Sequence, residues 1–122
     1  MSLRGLLLKE SLLDDSALDL VRVISTELSR IEDAVPPQPR SWTIVRFEVD
    51  DQGADEILQR FSAALNSGWY LHCSTDSHIF VAFPGRVFKY RRGDRVGRDE
   101  AIAYGLSVGT PRHQLDWEQS LE

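Results

Sequence analysis

Hydrophobic positions recur along this chain with two different periods, and the switches between them mark out the elements. From Gly5 to Leu13 (GLLLKESLL) the apolar run is too short to be decisive as a helix and predicts a short buried strand. The stretch from Ser16 to Ile31 reads two ways. Asp14-Asp15-Ser16 offers capping side chains, and Ala17, Val21, Ile24, Leu28 and Ile31 fall at helical spacing. Against that, Val21, Val23, Ile24 and Thr26 are β-branched, and the linker Pro36-Pro37-Gln38-Pro39 leads directly into a strand with which such a segment could pair. The favoured reading is one short helical turn near Ser16 to Asp19, then a strand. Trp42 to Asp50 (WTIVRFEVD) alternates cleanly, with Thr43, Val45, Phe47 and Val49 on one face and Arg46, Glu48 and Asp50 on the other.

Ala54 to Asn66 is the best helix: Ala54, Ile57, Leu58, Phe61, Ala64 and Leu65 form one stripe, Asp55 and Glu56 suit the positive N-terminal dipole, and Gly68 ends it. Period two returns at Trp69 to Cys73, with Trp69, Leu71 and Cys73 facing one way and Tyr70 and His72 the other. Ser74 to Ser77 reads as a turn and Ile79 to Phe83 as a strand covered on both faces. Pro84-Gly85 predicts a type II turn, in which Gly supplies the positive φ, and Arg86 to Arg92 is the returning strand. Asp99 to Val108 predicts a helix ending at Gly109, and Thr110-Pro111 opens a further short turn. Every strand connection is short enough for antiparallel pairing, whereas a parallel doubly wound sheet needs helical crossovers that the chain lacks. The expected fold is therefore α+β: a two-layer sandwich whose antiparallel or mixed sheet, about five to six strands, carries both main helices on one face. The other sheet face is then partly solvated or used for association.

Composition agrees with a packed domain and removes several classes. A chain of 122 residues, 42% hydrophobic and 27% charged, sits at ordinary globular values and is too short for two independent cores. One domain spanning residues 1–122 is expected, with Met1-Ser2-Leu3 reading in part as an expression remnant and residues 110–122 as a C-terminal tail. Cys73 is the only cysteine, which excludes an internal disulfide and a multi-cysteine zinc site and points to the cytoplasm. Lys9 and Glu10 interrupt the Leu6-Leu7-Leu8 run and no cleavage site follows, so the start does not read as a signal peptide. Nothing approaches the roughly 18 consecutive apolar residues of a membrane span.

Charge is lopsided. The net value is −5, yet Arg86, Lys89, Arg91, Arg92, Arg95 and Arg98 face only Asp94 in their segment, which carries +5 while the rest of the chain carries −10. Phe88 and Tyr90 share a strand face with Arg92, and guanidinium groups beside aromatic rings suit phosphate or stacked-base recognition. Arg86, Lys89, Tyr90, Arg91, Arg92, Arg95 and Arg98 are thus candidate anion or nucleic-acid contacts. The plainer reading is a solvated strand whose arginines meet the chain's abundant carboxylates, and it is favoured. Arg92-Gly93-Asp94-Arg95-Val96-Gly97 lacks the Lys-Ser/Thr of a triphosphate loop.

Two other groupings are weaker. His72, Asp76 and His78 would share a face of one continuous strand, as a two-histidine, one-carboxylate metal site requires, but the turn chemistry of residues 74–77 breaks that strand. Cys73 alternates with Trp69 and Leu71, which predicts a buried, inert thiol. Glu48, Asp50, Asp51, Asp55 and Glu56 cluster without the ligand ladder of a calcium loop and read as caps and solubilising charge. No pattern calls for a metal or cofactor, and no nucleophile elbow or Ser-His-acid set supplies catalytic roles.

Several runs carry a resemblance: Gly5 to Leu12 (GLLLKESL), Trp69-Tyr70, Phe83 to Asp94 (FPGRVFKYRRGD) and Gln114-Leu115-Asp116-Trp117. Together they resemble a family of small, uncharacterised bacterial proteins of similar length. The resemblance spans nearly the whole chain, implies a bacterial cytoplasmic protein, and favours the strand reading of residues 21–31. It implies no activity, so no functional residue is carried over. The leading expectation is a noncatalytic interaction domain that forms a homodimer or binds a protein partner through an exposed sheet face, an edge strand or Trp117, although Trp117 fits docking on the domain's own core at least as well. The alternative is anion or nucleic-acid binding through residues 86–98.

Overall fold

The computed structural model describes residues 2–13, 15–31, 38–115 and 117. Met1, Asp14 of the expected cap, Pro36-Pro37 of the expected linker, and Asp116 with 118–122 of the expected tail lie outside the described residues. Six strands form one sheet: β1 (Ser2–Leu8), β2 (Arg22–Arg30), β3 (Ser41–Asp50), β4 (Leu71–Ser74), β5 (His78–Phe83) and β6 (Arg86–Arg91). Their spatial order is β2-β3-β1-β4-β5-β6, and every neighbouring pair is antiparallel. Two helices, α1 (Ala54–Ala64) and α2 (Arg95–Ser107), complete the α+β sandwich anticipated from the alternating periods.

The local elements follow from their residues. Asp15–Leu20 winds into 3-10 turns and residues 22–30 then run as a strand, which decides the ambiguous segment for the β-branched reading. Leu3 is fully buried opposite Val49. Pro84-Gly85 closes the β5–β6 hairpin with Gly85 at φ 85°. Helix α2 starts at Arg95 rather than Asp99, because the Asp94 carboxylate accepts hydrogen bonds from the amides of Val96 and Gly97 at 3.1 and 3.2 Å.

One expectation is corrected: the helices do not share a sheet face. Successive strand residues point to opposite sides. Phe80 and Ala82 of β5 pack with Leu58 and Phe61 of α1, whereas Ile79, Val81 and Phe83 pack with Ala101 of α2. The α1 face also buries Leu3, Leu7, Val45, Phe47, Val49, Leu71 and Cys73, so it is covered across β1, β3, β4 and β5. Gly5 permits this closeness, since a Cβ there would lie 2.4 Å from the His72 carbonyl oxygen and 2.6 Å from the Phe47 ring. Over β5 and β6 the α2 face is covered by α2 and by Leu115 and Trp117. Leucine-periodic stripes report that a helix is buried on one side, but not which sheet face receives it. Strand β5, apolar on both sides, is what permits the split.

Candidate functional site

The basic segment is spread over three places. On β6, Arg86 lies on the α2 side, where its guanidinium carbon sits 4.5 Å from the Phe88 ring centroid and 5.6 Å from that of Tyr104. Lys89 and Arg91 point to the α1 side, and the Lys89 ammonium stands 5.1 Å from the Phe80 centroid. Arg92 is held against the β4–β5 turn, donating to the Thr75 carbonyl at 2.9 Å and the Ser74 hydroxyl at 3.0 Å. Arg95 and Arg98 are exposed in the first turn of α2. Tyr90 is buried, and its hydroxyl accepts a 2.7 Å hydrogen bond from the indole Nε1 of Trp117. These seven residues therefore do not converge on one surface.

The histidines of the metal reading part across the sheet. His72 pairs opposite Val81 on the α2 face, whereas His78, one residue before Ile79, points to the α1 face with its Nδ1 2.8 Å from the Ser77 hydroxyl. Burial alone pushes the His72 imidazole down to about 4 and the Cys73 thiol up to about 12, so both are uncharged near neutrality. No group of three metal-ligating side chains occurs among the described residues. Of the acidic set, Glu48 lies 3.6 Å from Arg4, Asp50 accepts from the Gln52 amide at 3.1 Å, and Glu56 meets Arg60 at 3.3 Å along α1. Asp55 sits beside Glu56 in the first turn. Asp50 thus serves the 3-10 turn Asp51–Gly53 and Glu48 and Glu56 form ion pairs, while α1 starts after Gly53 with no side-chain cap hydrogen bond.

Trp117 leaves the set of partner-binding candidates, since it is 1% exposed in the domain's own core. The edge strand remains. Among the described residues, β2 hydrogen-bonds to β3 on one side only, and all of Arg22 to Leu28 is exposed. Val23, Ile24 and Leu28 are 44%, 52% and 73% exposed, and a bulge falls between Val23 and Ser25. Natural edges are usually short or guarded by inward charge. This one is nine residues long and turns apolar side chains outward. Val23 and Leu28, opposite Phe47 and Thr43 of β3, share one sheet face.

Comparison with protein-family models, with curated proteins and with solved structures yields no match. No helix is long and apolar enough to cross a membrane among the described residues.

Proposed function

We propose that this protein is a noncatalytic interaction domain that pairs with a second copy of itself through strand β2. The observation that carries the reading is the outward exposure of Val23, Ile24 and Leu28 along an unpaired backbone edge. Adding a strand to such an edge satisfies its backbone donors and acceptors while covering apolar surface. Charge supports a copy as the partner. Arg22 and Glu27 lie on one face of the sheet, opposite Glu48 and Ile44 of β3, because the bulge restores their phase. When two β2 strands run antiparallel about the Ile24–Ser25 midpoint, each Arg22 meets Glu27 of the second copy and each Val23 meets Thr26. A cytoplasmic setting fits, since the chain's one cysteine is buried and its thiol inert. Anion binding through residues 86–98 draws less support, because those side chains occupy two sheet faces and a helix start.

Sedimentation equilibrium over a wide concentration range tests this. A reversible dimer is expected for the wild type, and a monomer with unchanged circular dichroism for Ile24→Lys/Leu28→Lys. A wild type that stays monomeric at every concentration rejects the proposal.

A further inference from the structure

The α2 face of the sheet is not bare where α2 ends. Over β3, β1 and β4 it forms the floor of a cavity of about 350 Å³, partly open to solvent. Leu6, Leu8, Ile44 and His72 form that floor, with Leu6 paired directly to His72 and Leu8 to Ile44. Trp42, Trp69 and Tyr70 stand around it as walls, the two indoles meeting edge to face at 5.3 Å. Hydrogen bonds hold those walls. The side-chain amides of Gln38 and Gln114 exchange two hydrogen bonds of 3.0 and 2.8 Å, the Tyr70 hydroxyl donates to the Gln114 carbonyl, and the Trp42 indole donates to the Pro39 carbonyl at 2.7 Å. A cavity with walls fixed on several sides is preorganised, which lowers the ordering cost of binding.

Its size and chemistry select the occupant. The volume lies at the low end of the roughly 300–1,000 Å³ typical of small-molecule sites, which suits one molecule of two or three aromatic rings and is too small for a docked helix. Among the described residues that line it there is no lysine, arginine, aspartate or glutamate. A carboxylate or phosphate would therefore lose its water and meet no Lys or Arg, only the imidazoles of buried His72 and exposed His113. His72 supplies no counter-charge near neutrality, since burial pushes it down to about 4. We infer that this cavity is a binding site for a small, uncharged, largely aromatic molecule, stacked among Trp42, Trp69 and Tyr70 with its polar end toward His72 and Gln114. This inference is independent of pairing through β2, which lies beyond β3 at the sheet edge.

N-phenyl-1-naphthylamine, a neutral fluorescent aromatic amine, is a suitable probe because Trp42 and Trp69 in the walls can transfer excitation to it. The wild type is expected to give a saturable rise in probe emission on tryptophan excitation, with micromolar Kd. Ile44→Trp, which fills the floor, should weaken binding at least tenfold while leaving circular dichroism and Tm in place. Leu6→Phe is a smaller intrusion from the neighbouring strand and should weaken binding severalfold, which keeps the test decisive if Ile44→Trp does not fold. The monomeric Ile24→Lys/Leu28→Lys variant should bind as the wild type does. The absence of a saturable signal with folded wild type, or full affinity in a folded cavity-filling variant, overturns the site. Equal affinity for the sulfonated analogue 8-anilino-1-naphthalenesulfonate overturns its neutral character.

Discussion

The two edges of this sheet solve the same problem in opposite ways. β6 is six residues long, sits between α1 and α2, buries Phe88 and Tyr90, and sends Arg86, Lys89 and Arg91 outward. Basic side chains along an edge discourage another strand from adding there. β2 is longer, lies beyond both helices, and exposes three apolar side chains instead. Basic side chains, conspicuous in composition, thus line one edge, while the edge that exposes apolar side chains is compositionally ordinary. A charge anomaly marks a surface that must stay in water, and the reason can be protection as readily as recognition.

The contrast can be broken most sharply at the β6 end. Trp117→Ala should cost about 3–5 kcal/mol in urea denaturation, since it empties a fully enclosed site and leaves the buried Tyr90 hydroxyl without its indole donor. A cost below about 1 kcal/mol would mean that the C-terminal segment is not part of that edge's core. Phe88→Ala should lose a comparable amount, whereas Leu28→Ala on β2 should stay within about 0.5 kcal/mol in the monomer. Equal losses at the two edges would erase the distinction.

Between the edges, acid should probe the floor under the cavity. The His72 pKa is lowered in the folded state from 6.5 to about 4, so the unfolded chain binds the extra proton first. Its contribution is complete above pH 6.5 and is lost as pH falls toward 4, by roughly 3 kcal/mol. His72→Phe should flatten that part of a stability–pH profile, and an unchanged slope would remove His72 as its source. The smallest effect concerns the bond between β3 and the turn after β1. Although burial opposes its charge, the hydroxyl and amide of Thr43, donating at 2.7 and 2.6 Å, hold the Glu10 carboxyl below its usual value. That stability is present above the unfolded pKa and fades as pH falls through the folded one. Thr43→Val keeps the amide donor and should cost about 1 kcal/mol at neutral pH by thermal melts, and less in acid. A loss independent of pH would assign it to packing.

Much of the architecture was readable from residue order. Alternation in residues 42–50, the stripe of α1 and the Pro84-Gly85 turn depend on neighbours a few positions apart and stand as read, whereas the strand expected from Trp69 begins at Leu71. The α2 start was misplaced by four residues because its cap, Asp94, sat inside the arginine-rich stretch and was weighed as a charge. Neither the β2 edge nor the cavity could be located from the chain alone. Leu6, Ile44, Tyr70, His72 and Gln114 are far apart in sequence and meet only through strand register and the docking of residues 112–115. What the sequence determined by itself is which segments alternate, which wind, and that the one thiol would be buried. Which sheet face receives each helix, and which edge and which stretch of floor stay uncovered, was decided by the tertiary structure. Those outcomes depend on long-range pairing, and local periodicity carries no record of partners.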